Sequence, residues 1–405
     1  MNFKIFAPAL LFVLCSNIFA SDFNMPTINA SGLGTAYAGW AADTDDASTA
    51  YANAAGLTSI HSSQLVLTGI GVKGFSQFKG RSNIGSGTAT SSIGGLIPSY
   101  YFTKPLFPNF VFAIGTATPF AFGTNYAKDS LVRYSATLSK ITVSDFVSSI
   151  GFKINEQFSI GGGVDLERLA YLTRSMVPGT VPDSETHNHL YGWGYGWHLG
   201  LRYKINPNSR VGLNVISPVM FHARGNSTFY TPTIAYRNTY QRSNIMLPAM
   251  VQLGISQVLT DRMTLLGTVF YTRWSVLDKL TLKHVTTPGG QVSVTVPFND
   301  HDTFDYSLGL KFKANDALTL KTGLQIIGKS SNDQTRTVAD TTSNSRLISI
   351  GAHYQASKSL SYDVGYAHNF IHPVIINHKA GTLYAIGKAY TSDDVVGMQA
   401  TWNLG

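Results

Sequence analysis

Trp193-Gly194-Tyr195-Gly196-Trp197-His198-Leu199-Gly200-Leu201-Arg202-Tyr203-Lys204-Ile205 is the stretch on which the fold turns. Its odd positions are large and apolar throughout, while its even positions are glycine, histidine or basic. A period of two is the mark of a strand, because successive side chains point to opposite faces. The same period recurs in Leu318, Leu320, Leu324 and Ile326 against Thr319, Lys321, Gly323 and Gln325, and in Tyr362, Val364 and Tyr366 against Ser361, Asp363 and Gly365. A soluble sandwich alternates too, but its strands are mostly short. Many of these runs reach about ten residues or more, the length that a tilted strand needs to cross an outer membrane.

Carried along the chain, the pattern predicts strands near 64–75, 92–103, 110–122, 141–153, 158–172, 193–205, 210–222, 244–258, 263–282, 302–313, 318–328, 346–355, 360–370 and 393–404. The links after even-numbered strands are short: 104–109, 154–157, 206–209, 259–262, 314–317 and 356–359. Those after odd-numbered strands, 76–91, 123–140, 173–192, 223–243, 283–301, 329–345 and 371–392, are long and rich in Gly, Ser, Thr, Asn and His. Short turns at one end and long loops at the other are the periplasmic and extracellular ends of a barrel. The expected fold is all-β, a transmembrane antiparallel β-barrel of about 14 strands in the bacterial outer membrane.

Composition agrees. After residue 20 no apolar run approaches the ~20 residues of a membrane helix, although 44% of the chain is hydrophobic, 12% aromatic and only 13% charged. The net charge of +8 is spread along the chain, which argues against a nucleic-acid stripe and fits anionic lipid head groups. Residues 1–20 read as an export signal: Lys4, an apolar run over 5–14 too short to span a bilayer, and a cleavage point after Ala20. Cys15 is the single cysteine. Leu14 stands where a lipoprotein signal places a small residue, so Cys15 reads as part of the signal. The exported chain is then expected to lack disulfides, thiolate metal sites and thiol nucleophiles.

Residues 29–57, NASGLGTAYAGWAADTDDASTAYANAAGL, have neither period. Small side chains and glycines at 32, 34 and 39 allow tight backbone packing in a confined space, so the segment reads as a plug. Ser31-Gly32-Leu33-Gly34-Thr35-Ala36-Tyr37-Ala38-Gly39, then Thr44-Asp45-Asp46-Ala47-Ser48, then Asn53-Ala54-Ala55-Gly56-Leu57, resemble the N-terminal hatch of the FadL/TodX family of outer-membrane transporters. Further along, Trp193-Gly194-Tyr195-Gly196-Trp197, Leu247-Pro248-Ala249 and Tyr271-Thr272-Arg273-Trp274-Ser275 are similar to that family's strand signatures. The resemblance implies a 14-stranded barrel closed by a hatch inside the lumen, with 1–20 as signal, 21–62 as hatch and 63–405 as barrel. Ser31, Gly32, Leu33, Gly34, Asp45, Asp46, Asn53, Ala54 and Ala55 are its hatch positions. Ala54 departs from the family's proline, which removes a backbone constraint and implies a looser hatch.

The resemblance further implies passive uptake of long-chain fatty acids or similar hydrophobic molecules: capture at the outer loops, hatch rearrangement and lateral exit through the third strand. The alternatives are an aromatic hydrocarbon channel of the same family and a surface adhesin or structural barrel. The family's lateral opening falls at Pro119, Phe120 and Ala121. Pro119 cannot donate a ladder bond, though a strand that simply ends there is an equal reading. The family's basic pocket residues fall nearest Arg174, one position out of register, and His301, where the family has lysine; an arginine facing solvent or lipopolysaccharide is the competing reading for Arg174. Phe120 and Phe122 are candidates for the apolar capture surface, with an interfacial aromatic girdle as the alternative.

The expected partners are the hydrophobic ligand, outer-membrane lipid and lipopolysaccharide, with no nucleic acid, for a chain acting as a monomer. No cofactor or metal is expected. His187 and His189 give only two ligands in a loop, Gly32-Leu33-Gly34 lacks the lysine of a phosphate loop, and Asp43, Asp45 and Asp46 read as a hydrogen-bonded turn. No nucleophile, base and acid fall into a catalytic spacing, so the chain is not expected to be an enzyme. It ends on Trp402-Asn403-Leu404-Gly405 without the terminal aromatic common in such barrels, but Val396, Met398, Ala400, Trp402 and Leu404 keep the outward phase.

Overall fold

In the stretch from 193 to 205 the odd side chains point away from the protein, from 42% exposed at Leu201 to 79% at Tyr195, while His198 between them is 1% exposed. A water-soluble sheet buries its apolar face; this one presents it outward, as lipid requires. The computed structural model describes residues 27–43, 46–178, 182–380 and 382–404, so the expected signal segment 1–20 and the hatch residue Asp45 lie outside it.

The strands are β1 (Gln64–Ser82), β2 (Gly85–Phe107), β3 (Phe110–Asn125), β4 (Leu138–Lys153), β5 (Phe158–Val177), β6 (Ser184–Asn206), β7 (Ser209–Ile216), β8 (Val219–Tyr230), β9 (Ala235–Leu247), β10 (Met250–Thr260), β11 (Met263–Thr272), β12 (Lys279–Thr287), β13 (Gly290–Pro297), β14 (Thr303–Lys313), β15 (Leu318–Ile327), β16 (Ser345–Gln355), β17 (Leu360–Ile371), β18 (Val374–Ala380) and β19 (Leu383–Asn403). They make 14 antiparallel crossings, because β7 with β8 and β9 with β10 are each one crossing interrupted. The interruptions lie at Ser217-Pro218 and Pro248-Ala249, where proline has no N–H for the ladder. They face each other, since Ile216 pairs with Met250 and Val219 with Leu247. β19 pairs with β1 from Asn403–Gln64 to Ala385–Ser82 and closes the barrel.

The turns at the end where β1 begins are the short ones expected. At the opposite end the strands run further than their sequence pattern. The link foreseen at 76–91 is ladder from Ser76–Ser91 to Ser82–Gly85, leaving a turn at Asn83 and Ile84. The strand foreseen over 263–282 ends at Thr272, and β12 pairs with β13 as a hairpin beyond it.

Residues 27–60 form two short helices, α1 (Ala30–Leu33) and α2 (Thr49–Ala52), and a 3-10 turn over Ala54–Ser59. Their contacts run round the wall. Thr268 of β11 receives the Trp40 N–H at 3.0 Å, Ser349 of β16 donates to the Gly34 carbonyl at 3.2 Å, and Gln399 of β19 donates to Asp46 at 2.7 Å. Arg202 of β6 donates to the Ala42 carbonyl at 3.1 Å, and Lys311 of β14 pairs with Asp43. Wall glycines admit the segment's backbone: a Cβ at Gly161 would stand 2.3 Å from the carbonyl carbon of Ala54, one at Gly212 1.9 Å from the Ala41 oxygen, and one at Gly323 2.2 Å from the carbonyl carbon of Thr35. Close approach at these positions excludes any side chain.

Candidate functional site

The wall is not hydrogen-bonded all the way up between β2 and β3. Their ladder runs from Phe107–Phe110 to Tyr101–Gly115 and stops. Beyond it the strands meet through side chains: the Tyr100 N–H donates to Thr116 Oγ1 at 3.2 Å and the Asn125 N–H to Ser91 Oγ at 2.7 Å, with one bridge at Ser91–Tyr126. On its other edge β3 stays paired with β4, but the register slips. Ala117 faces Asp145 and Phe120 faces Val143, so Thr118 and Pro119 occupy a bulge with one residue too many. Proline at the bulge and the extra residue together turn the strand. Its buried positions are Val111, Ala113, Gly115 and Ala117 before the bulge, Thr118 and Pro119 within it, and Phe120 and Thr124 after it.

A cavity of about 230 Å³ lies at this gap. Its lining mixes the two faces of the wall. Val72, Ile97, Phe122 and Ile141 share the phase of the lumen side, while Leu96, Ala121, Lys140 and Thr142 share the phase of the outward side. Residues of both faces of the wall therefore border one cavity. The far wall is polar: the hydroxyls of Thr391, Ser76 and Thr341 form a cluster, Thr391 lying 3.1 Å from Ser76 and 2.9 Å from Thr341, and Asn369 and Asp393 stand beside them. Lys140 and Asp393 are the charged residues of the lining. Thr27, at the start of the described chain, lines the same cavity and donates to the Thr118 carbonyl in the bulge at 2.8 Å.

The segment 328–344 lids the polar side, contributing Thr341, Thr342 and Ser343. Its anchor is Asp333, which receives Lys329 and the buried Arg336. Partial burial pushes the Asp333 carboxyl up, but those two hydrogen-bonded cations outweigh it and hold the pKa below the ordinary value. Asp302 behaves alike. Burial opposes, while the Tyr271 hydroxyl at 2.6 Å, the Ser275 N–H at 2.9 Å and the Arg273 charge keep it low.

Of the residues singled out from sequence, Pro119 sits in the bulge, Phe120 is buried with its ring 5.9 Å from that of Trp274, and Ala121 and Phe122 line the cavity. Ser31 and Asp46 bond each other at 2.6 Å, and the Gly32 N–H is capped by Asn29 at 2.9 Å. Leu33, Ala54 and Ala55 are fully buried, and Asn53 donates to Ala41 at 2.6 Å and to Leu201 at 2.9 Å. Arg174 and His301 lie apart from the cavity. Arg174 is exposed and out of phase with the buried Leu169 of β5, on the outward side, because a slip of one residue changes the face. His301 is exposed, and its ring shares a hydrogen bond of 3.0 Å with the Ser330 carbonyl. Lys140 and Asp393 escaped the sequence reading because nothing local marks where the ladder fails.

One further constellation sits against the segment. His198 bonds Asp165 at 2.9 Å through Nδ1 and Ser149 at 2.9 Å through Nε2, a nucleophile, base and acid in line. The single hydroxyl proton of Ser149 goes instead to the Ala50 carbonyl at 2.9 Å, and the serine is 1% exposed. The group holds α2 to the wall; no proton is left for His198 to withdraw. Burial first, and then the nearby Asp145, Glu167 and Asp165, push the Tyr51 hydroxyl of α2 well above its usual range.

Residues 11–403 match the family model described as outer membrane protein transport protein (OMPP1/FadL/TodX). The chain is 26% identical to the 47 kDa outer membrane protein of Pasteurella multocida, covering 88% of this chain and 89% of that one. It is 22% identical to the long-chain fatty acid transport protein of Salmonella typhi over 93% and 94% of the two chains. The crystal structure of a Pseudomonas aeruginosa FadL homologue superposes with a TM-score of 0.86 at 20% identity, covering 95% of this chain and all of the other.

Proposed function

The chain belongs to the OMPP1/FadL/TodX family of outer membrane transport proteins, and from that premise we propose that it takes up long-chain fatty acids or similar hydrophobic molecules by passive lateral transfer. The observation that carries the reading is the cavity at the gap between β2 and β3, lined by residues of both faces. An apolar molecule gains nothing from a water-filled pore, since its transfer free energy favours hydrocarbon. It is better served by desolvation among Val72, Ile97, Phe122 and Ile141 and exit past Ala121 and Leu96 into the hydrocarbon layer.

In this reading residues 21–62 are the hatch that blocks straight passage, Pro119, Phe120 and Ala121 form the lateral gate, and the Thr27–Thr118 bond ties one to the other. Ligand entering the cavity displaces Thr27 and so loosens the hatch's first turn. Ile93 is the residue the ligand pushes aside, because its Cδ1 reaches across the gap to within 2.6 Å of a Cβ position on Gly123.

Deleting Pro119 removes the surplus residue of the bulge and lets β3 pair onward with β2. Cells lacking the chromosomal copy and complemented with this variant are expected to assemble a heat-modifiable barrel yet lose labelled oleate uptake. Normal oleate uptake by the variant would refute lateral exit at β3. Oleate uptake that is unchanged when the protein itself is absent removes the fatty-acid assignment, and growth on toluene-type hydrocarbons then tests the aromatic alternative.

A further inference from the structure

The outward face carries a charge arrangement that the transport reading does not use. Arg224 of β8 stands directly opposite Arg242 of β9, and Arg242 directly opposite Lys283 of β12. All three are exposed. Their register continues to Tyr191 of β6, on the apolar exterior. Arg168 lies beside this row, opposite Trp193 with its guanidinium 5.7 Å from the ring, and Arg174 stands further up β5.

Like charges placed directly opposite on a sheet repel, and an anion seated among three in a row would offset that repulsion. Among the described residues none of these five cations has a carboxylate within ion-pairing distance. The row also has a defined height. Trp193, Tyr195 and Trp197, with 46–79% exposure, mark the aromatic belt where hydrocarbon meets head groups. In register Arg168 pairs with Trp193 itself, and Arg174 and Arg224 pair with His187 and Tyr191, beyond it toward the end that carries the long loops. At that level the outer leaflet presents phosphates, and guanidinium groups take phosphate oxygens two at a time.

We propose that Arg168, Arg174, Arg224, Arg242 and Lys283 form a binding band for the phosphates of lipopolysaccharide on the outward wall of β5–β12. Each phosphate bridges cations of neighbouring strands, so the repulsion that would splay β8, β9 and β12 becomes a clamp. The band is independent of the lateral-transfer reading and rests on the outer-membrane location alone.

The test uses the full-length protein extracted in mild detergent without added lipid. Lipopolysaccharide retained per barrel is measured for the wild type and for the triple variant R224Q/R242Q/K283Q, with heat-modifiability on gels reporting the fold. Retention is expected to fall at least tenfold in the triple variant and to return in R224K/R242K, which keeps the charge. Thermal scans then add bisphosphorylated lipid A, dephosphorylated lipid A or phosphatidylglycerol. The expected result is stabilisation of the wild type by the bisphosphorylated form alone. Equal retention by wild type and triple variant overturns the proposal, as does equal stabilisation by dephosphorylated lipid A. Equal stabilisation by phosphatidylglycerol overturns it too, by reducing the band to unselective attraction of anions. Should the triple variant fail to fold, R224Q/R242Q is scored by the same criteria.

Discussion

Gly212→Ala is expected to release the hatch and leave the barrel standing. The added Cβ would lie 1.9 Å from the Ala41 oxygen and 2.4 Å from its carbonyl carbon, where ordinary contact begins near 3.4 Å, so wall and hatch must part by about 1.5 Å. Two bonds fix the hatch to the wall at that point: Asn53 Nδ2 to the Leu201 carbonyl of β6 at 2.9 Å and Arg202 Nε to the Ala42 carbonyl at 3.1 Å. A displacement of 1.5 Å takes both beyond bonding range. At ~1 kcal/mol net for each bond the cost is about 2 kcal/mol, roughly a 30-fold rise in the displaced state, and overpacking adds about 1 kcal/mol or more. Amide hydrogen exchange in residues 38–56 reads this directly, with wall amides as the internal standard. Gly69→Ala is the control, since its Cβ would meet nothing closer than 3.5 Å. Exchange rising less than threefold in Gly212→Ala, or equally in both variants, refutes the claim that wall glycines hold the hatch by contact.

Two further outcomes follow from the same geometry. Ala54 opens the 3-10 turn after an extended Asn53 (φ −172°, ψ 104°), a setting that suits proline; Ala54→Pro is expected to slow hatch exchange two- to fivefold, corresponding to about 0.4–1 kcal/mol of lost unfolded-chain freedom, and faster exchange would show that the family's constraint is replaced here by the fully buried packing of Ala54. The segment 328–344 is expected to loosen in acid. Asp333 has a folded pKa below its ordinary 3.8, so its ion pairs add stability above that value and lose it as pH falls through the depressed one. Proteolysis of the segment should therefore accelerate between pH 5 and pH 3 in the wild type, and Asp333→Asn should be fast at both; a wild-type rate independent of pH over that range contradicts the assignment.

Much of the fold is visible in local chemistry. The aromatic and aliphatic odd positions from 193 to 205 face lipid, and a strand's period makes that a one-dimensional signal. The strand extensions were invisible for the same reason. Above the membrane the outward positions of β1 and β2, such as Gln77, Lys79 and Thr88, meet water, so the alternation fades while the ladder from Ser76 to Ser82 continues. Phe120 and Pro119 were legible as an irregularity, because proline cannot complete a ladder wherever it falls. Whether that irregularity ends a strand or parts two strands depended on what β2 does opposite it.

The sequence by itself determined a lipid-facing barrel of alternating strands and marked out a segment of small residues before it, because periodicity, turn chemistry and side-chain size act within a few residues of the chain. Only the tertiary structure decided that Lys140 and Asp393 share a cavity with Thr27, that Arg174 faces outward, and that Arg224, Arg242 and Lys283 confront one another. Those relations are set by register between strands and by one surplus residue in β3, and a register shift of a single residue moves every side chain to the opposite face.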